Sequence, residues 1–199
     1  MTLKNTLNGQ ALPLSHSHHL TLMQPADLPA YAALLNDPKV HQFLFFAPAS
    51  EAVIAQYLLP RLSAEAQAQA PVLALRDPAG RFLGMVALAQ SDAPGVLELG
   101  FQLSPECWGQ GLATAAARQL LAIAFDQLGA GEVKADCYDS NRASKRVLEK
   151  SGLGRTVKEY GHFENGTVDR CWFALTEAQY RRSEAVARDA QLRRAPVAA

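Results

Sequence analysis

Two glycines with one residue between them, Gly109 and Gly111, stand in the run Trp108-Gly109-Gln110-Gly111-Leu112-Ala113-Thr114, between a strand-like segment, Val96 to Gln102, and a long alanine-rich stretch. At such a junction, free backbone N–H groups at the positive end of a helix dipole can close on an anion, because the side chains are too small to block the approach. A phosphate-bearing ligand is the first expectation. The run can be laid on the dinucleotide pattern G-x-G-x-x-G, with Glu132 or Asp136 as the ribose acid about 20 residues on. Against this, Thr114 takes the place of the third glycine, Leu103 to Trp108 separates the strand from the loop, and the preceding strands read as a meander. A Walker-type loop fails because no Lys-Ser or Lys-Thr pair follows Gly111.

The elements that must position this loop follow from periodicity and punctuation. A strand from His19 to Gln24 leads into a short helix that ends near Asn36, where Asp37-Pro38 closes it. Ser50 caps a second helix that Pro60 interrupts, and the biased stretch Ala64 to Ala70 reads as a mobile loop. Val72 to Leu75 and Phe82 to Ala89 are antiparallel strands joined at Asp77-Pro78-Ala79-Gly80; a second turn at Asp92 to Gly95 feeds Val96 to Gln102. Leu112, Ala116, Leu120, Ile123, Ala124 and Leu128 recur at helical spacing, and Gly129 to Gly131 stops that helix before a strand, Glu132 to Tyr138. A helix from about Asn141 to Ser151-Gly152, strands Gly154 to Tyr160 and Val168 to Leu175, and a tail helix opened by a Thr176/Gln179 capping box complete the chain. Met1 to His19 shows no periodicity. These readings give an α+β chain on the α/β borderline, a mixed sheet flanked by helices.

Composition bounds the function. The 199 residues, 49% of them hydrophobic, suffice for one sizeable core. Lys plus Arg equals Asp plus Glu at 19 each, so no basic excess argues for nucleic acid or a membrane surface as partner. Cys107, Cys137 and Cys171 are odd in number and widely separated, which suits buried thiols in a reducing cytosol. No apolar run approaches the roughly 18 residues of a membrane span, and a cytoplasmic location is expected. The tail arginines, Arg181, Arg182, Arg188, Arg193 and Arg194, alternate with Glu177, Glu184 and Asp189 and read as a solvated face. His16, His18 and His19 lack a partnering motif, and no metal site is expected.

Three blocks in order, Glu98-Leu99-Gly100-Phe101, then Trp108 to Thr114, then Asn141-Arg142-Ala143-Ser144 with Val147-Leu148-Glu149-Lys150-Ser151-Gly152-Leu153, resemble the GNAT superfamily of acyl-CoA-dependent N-acetyltransferases. The W-G-x-G-x-A-T form and the N-x-x-S-x-x-V-L block are similar to the branch of Rim-type ribosomal-protein N-terminal acetyltransferases, over about His19 to Leu175. The resemblance implies a GNAT-like, mostly antiparallel sheet, with acetyl-CoA as donor. Its pyrophosphate would lie on the amides of Gly109, Gln110, Gly111, Ala113 and Thr114, and its pantetheine like an extra strand between Val96 to Gln102 and Glu132 to Tyr138. Leu99, Gly100, Phe101, Asn141 and Ser144 complete the implied cofactor contacts. It divides the chain into an extension (1–18), the transferase domain (19–176) and a tail (177–199).

Acyl transfer to an amine needs a neutral nucleophile, a stabilised oxyanion and a proton for the leaving thiolate. Glu98 is the base candidate: it shares one strand face with Val96, Gly100 and Gln102, opposite Leu97, Leu99 and Phe101. Where many superfamily members carry a tyrosine acid, this chain has Leu148, which leaves Ser144, Tyr138 or water as proton donors. Trp108 occupies a site often basic in the family, and Ala115 one often glutamate in the branch. Phe43, Phe45 and Phe46 line either the acceptor groove or a core or dimer contact, and His162 and Glu164 border a substrate entrance. Direct transfer from acetyl-CoA to a primary amine is expected, a protein or peptide N-terminus through the branch resemblance, by a monomer or homodimer. A small-molecule amine, a non-catalytic acyl-CoA sensor and a nicotinamide-dependent oxidoreductase are the alternatives.

Overall fold

In the computed structural model, which describes residues 2–14, 18–161 and 168–194, the chain runs α1 (Leu3–Leu7), β1 (Leu12–Pro13), β2 (His19–Leu22), α2 (Leu28–Leu35), α3 (Pro38–His41), α4 (Glu51–Leu58), α5 (Ala64–Gln69), β3 (Val72–Arg76), β4 (Phe82–Gln90), β5 (Val96–Leu103), α6 (Leu112–Asp126), β6 (Glu132–Tyr138), α7 (Arg142–Lys150), β7 (Gly154–Glu159), β8 (Arg170–Thr176) and α8 (Glu177–Arg194). Among the described residues, the strands form one sheet in the order β1-β2-β3-β4-β5-β6-β8-β7. Every neighbouring pair is antiparallel except β5 and β6, which run parallel across the α6 connection.

Strand alternation sorts the residues onto two faces. Leu73, Leu75, Val86, Leu88, Leu97, Leu99, Val133 and Phe173 face α6, whose Leu112, Ala116, Leu120 and Ala124 are fully buried against them. Burying a leucine in this way stabilises by roughly 1.5–3 kcal/mol. On the other face, Val72, Ala74, Met85 and Ala87 pack beneath Tyr31, Leu35, Ile54 and Leu58 of α2 and α4. That second face continues across β6 and β8 as Lys134, Asp136, Tyr138, Arg170 and Trp172, all half-buried rather than covered.

The expected strands and helices are present, with shifted ends and some differences of kind. Ser50 caps α4 by accepting the Val53 N–H, and Thr176 and Gln179 exchange the bonds of the expected capping box. Asp37, extended before Pro38, follows the α2 C-cap Asn36 and ends that helix as expected, and its carboxylate also caps α3 by accepting the Lys39 N–H at 2.8 Å. Ala64 to Gln69 is a helix rather than a mobile loop: Ser63 caps it, and the buried Gln67 carboxamide accepts the Val72 N–H at 2.7 Å and donates to Met23 O. The stretch before His19 holds α1 and β1, whose Leu3 and Leu12 enter the core. On the tail, the Tyr180 ring stacks on Phe125 and its hydroxyl meets Asp126, while Arg181 pairs with Asp126 and Glu177.

Candidate active site

The parallel ladder between β5 and β6 lasts three pairs, Val96 with Glu132, Leu97 with Val133 and Glu98 with Lys134. Beyond Glu98, β5 stays with β4 as far as Leu103 opposite Gly84, and β6 stays with β8 as far as Tyr138 opposite Arg170. The sheet therefore parts into two halves along Leu99 to Leu103 and Ala135 to Tyr138.

The β5 side of this gap leads into the glycine loop. A turn at Pro105–Cys107 is pinned by the Trp108 indole N–H on Leu103 O (2.9 Å) and by the Gln110 carboxamide on Glu106 O (2.7 Å). Arg81 reaches from the β3–β4 turn to clasp the Glu106 carboxylate at 2.9 and 3.2 Å. Gly109 and Gly111 both sit at φ +77°, left-handed backbone that only glycine adopts freely, and a β-carbon at either would meet nothing within 4 Å. Ala115 is the first α6 residue whose N–H finds an intrahelical acceptor, Gly111 O at 3.0 Å. The amides of Gly109 to Thr114 have no acceptor among the described residues, and they leave a row of donors at an open helix start.

Glu98 stands at the last rung of the ladder, half-buried on the face shared with Gly100 and Gln102, as expected from alternation. At Gly100 a β-carbon would meet nothing within 4 Å. Across the gap the same face carries Asp136 and Tyr138. Burial pushes the Asp136 carboxyl above its ordinary pKa, while Arg170 at 3.4 Å pulls the other way. Arg170 also bonds Glu159 at 2.8 Å and lies over the Trp172 ring, 4.6 Å from its centroid. Phe45 packs edge-on against Tyr138 with centroids 4.6 Å apart, which puts one of the three candidate phenylalanines at this face; Phe46 is exposed. Gln102 accepts from the Tyr31 hydroxyl at 3.0 Å, which ties β5 to α2.

Asn141 and Ser144 approach from the opposite face. Asn141 caps α7 by accepting the Ser144 N–H at 3.0 Å. Burial pushes the Cys137 thiol up to about 11, with the nearby Ser144 hydroxyl opposing the rise. Leu148 is fully buried in the core under α7. Glu98 and Ser144 thus lie on opposite faces of the sheet, with the gap between β5, which carries Glu98, and β6, which leads into α7. The α7 start is anchored by Asp139, which accepts from Lys145 and Lys158 at 2.8 Å and from the Cys171 thiol at 3.1 Å.

These bonds hold the Asp139 carboxyl well below the usual carboxylate range. A carboxylate depressed in the folded state stabilises above the unfolded value, near 4, and its contribution is lost as pH falls below that value. Thermal melts at pH 7 and pH 3 should therefore show a smaller acid-induced drop in midpoint for Asp139→Asn than for the parent chain. Equal drops would contradict this account.

His162 and Glu164 lie outside the described residues, as does His16. His19 is opposite Arg76, with β3 and β4 between it and β5. Among the described residues no group of three His, Cys, Asp or Glu is placed to hold a metal ion, and no helix is long and apolar enough to cross a membrane. The strand before the loop ends an antiparallel meander, and its one parallel neighbour, β6, pairs antiparallel with β8, whereas a dinucleotide fold opens a run of parallel strands at this point.

The acetyltransferase (GNAT) domain family matches residues 19–154. The chain belongs to this family. GNAT architecture is also that of the spermidine N-acetyltransferase of Vibrio cholerae solved with CoA and spermine, which superposes with a TM-score of 0.71 at 16% identity over 82% of this chain and 97% of that one. The putative ribosomal N-acetyltransferase YdaF of Bacillus subtilis is 28% identical over 173 residues, 82% of this chain and 94% of that protein. An Aspergillus fumigatus FsC-acetyl coenzyme A-N(2)-transacetylase is 43% identical over 56 residues, 28% of this chain. The chain spans 24% of that protein's length and about half the length of two further Bacillus subtilis relatives, 49% and 48%.

Within the GNAT sheet, Arg170, Trp172 and Asp136 join the candidate site without having been singled out for it from the sequence. Asp136 figured there only as a ribose acid. The alternation Glu132-Lys134-Asp136-Tyr138 was the available signal: four polar residues on one face of a strand whose other face is Val133, Ala135 and Cys137.

Proposed function

We propose that this chain transfers an acetyl group from acetyl-CoA to a primary amine, with a protein or peptide N-terminal amine as acceptor. The reading is carried by the three-rung ladder followed by a gap that opens onto a row of free amides. A pantetheine arm can pair with strand backbone there, and a pyrophosphate wants the converging N–H donors of Gly109, Gln110, Gly111, Ala113 and Thr114. Leu99, Gly100 and Phe101 supply the β5 wall, and Asn141 and Ser144 the α7 side. Acetyl-CoA held there would supply an activated acyl carbon in the gap that Glu98 borders.

Glu98 takes the proton of the attacking N–H, directly or through water, so that the nitrogen lone pair can form the N–C bond as the C–S bond breaks. A donor on the α7 side, Ser144 or water, returns a proton to the departing sulfur. Cys137 is unsuited to a covalent relay, since its thiol is harder to ionise than a free cysteine. The N-terminal acceptor rests on the Rim-type motif resemblance and on the similarity to the putative ribosomal enzyme.

The test is a thermal-shift titration with acetyl-CoA, CoA and NAD, followed by thiol release on amines. A ligand at about 100 times its Kd adds roughly 2.7 kcal/mol, which for a chain of this size raises the midpoint by roughly 5–10 °C. Stabilisation by both CoA species and not by NAD, with faster turnover on an N-terminal peptide than on spermidine, is expected. No response to either CoA species overturns the reading.

A further inference from the structure

Asp136 is a charged group on the open face for which the transfer chemistry above has no task. It is the first β6 residue to present its side chain on that face after pairing with β5 stops at Lys134, so it stands across the gap from the stretch holding Glu98 and Gly100. Its side chain is 23% exposed, and among the described residues its one hydrogen-bond partner is Arg170, at a long 3.4 Å. Arg170 gives a shorter bond, 2.8 Å, to Glu159 and is held by the rings of Trp172 and Phe45, 4.6 and 5.7 Å from their centroids. A half-buried carboxylate whose one cation stands at 3.4 Å and is shared with Glu159 has lost much of its water for an incomplete charge pairing, which an ammonium completes. The open space at Gly100 gives a small group room to stand beside it.

On the reading that the chain is an amine acetyltransferase, we infer that Asp136 holds the acceptor's ammonium at the gap before Glu98 removes its proton, and that Arg170 is the positioning residue that fixes the Asp136 carboxylate. The surroundings also define the acceptor. Among the described residues Lys134 and Arg170, together with the acceptor's one ammonium, balance Glu98, Asp136 and Glu159, so a second positive charge on the acceptor would be in excess. The Phe45 and Tyr138 rings offer apolar contact to the carbon next to the nitrogen. The substrate class is a compact primary amine with one charge and an apolar neighbour, not a polyamine.

Steady-state kinetics with an N-terminal peptide amine separate the roles. In Asp136→Asn the KM for the amine rises by about tenfold or more, while kcat changes less and the KM for acetyl-CoA and the melting midpoint stay in place. Asp136→Glu, which keeps the charge, retains more of the amine affinity. The groups facing Asp136 are Glu98 from β5, Lys134 from β6, Glu159 from β7 and Arg170 from β8. Because Arg170 opposes the rise that burial causes, Arg170→Gln moves the acidic limb of kcat/KM for the amine to higher pH, and Arg170→Lys restores part of it. An amine KM within twofold of the parent in Asp136→Asn, or an equal rise in the acetyl-CoA KM, overturns the role of Asp136. A kcat/KM for spermidine above that for the peptide overturns the charge preference. A parent chain that binds acetyl-CoA yet turns over no amine overturns the underlying reading instead, and is recognised without any variant.

Discussion

Glu98→Gln is expected to lower kcat on the amine acceptor by about 100- to 10,000-fold, the range that a positioned general base contributes. The substitution keeps the shape and half-buried placement of the side chain on β5 and removes only its ability to take a proton. The thermal shift with acetyl-CoA should therefore be unchanged, which separates a chemical defect from a binding one. Raising the pH should recover part of the rate, because more of the amine is then already neutral. A variant that keeps more than a tenth of the parent kcat would remove Glu98 from the mechanism. Loss of both turnover and the acetyl-CoA shift would instead mark it as part of the strand's architecture.

The largest effect on stability is expected at Gly84. This residue lies where β4 meets the C-terminal end of β5, one step from the register shift between Leu75 and Arg76 on β3. A β-carbon there would come within 2.6 Å of Leu103 Cδ2 and 2.8 Å of Leu103 Cα, and would press on the Gln102 carbonyl oxygen as well. Rotation of a side chain relieves the first contact; backbone atoms cannot move away so cheaply. Its φ of +156° adds a conformation that alanine resists. Overpacking and backbone strain each cost about 1–3 kcal/mol, so Gly84→Ala should lose roughly 3–5 kcal/mol and at least about 6 °C of melting midpoint. Gly80→Ala is the contrasting control, since Gly80 also has positive φ (+84°) but open space around it; it should lose less. Equal melting of both variants would mean that β4 and β5 separate more easily than the contacts imply.

What could be read from the chain depends on how locally each feature is encoded. The β3–β4–β5 meander was legible because its apolar strands are short and each turn between them carries a proline and a glycine, Pro78 with Gly80 and Pro94 with Gly95. The shape of the glycine loop was legible because Gly109 and Gly111, with one residue between them, mark left-handed backbone, φ +77° at both. α5 was misread because Ala-Glu-Ala-Gln-Ala-Gln has no apolar stripe; what makes it a helix is Gln67 reaching into the protein to satisfy Val72 and Met23. α1 and β1 have five and two residues, too few for any period to declare itself, and they exist through the burial of Leu3 and Leu12. The cluster of Asp136, Arg170 and Trp172 is assembled by the β6–β8 register, which joins residues more than thirty positions apart and leaves no trace in either segment alone.

The brevity of the β5–β6 ladder has a consequence for solubility. A sheet normally has two edges, both at its periphery, and proteins blunt them with charge, proline or cover, because an unpaired edge templates association with another chain. Here the middle of the sheet contributes two more, along Leu99 to Leu103 and Ala135 to Tyr138, flanked by some of the most apolar strands in the molecule. An occupant that pairs with them is also a cap. On the proposed reading, the same acetyl donor that the chain consumes keeps its interior edges from meeting a neighbour, and the chain's tendency to aggregate should track the ratio of donor to protein, with amide exchange along these two segments slowing as the gap fills.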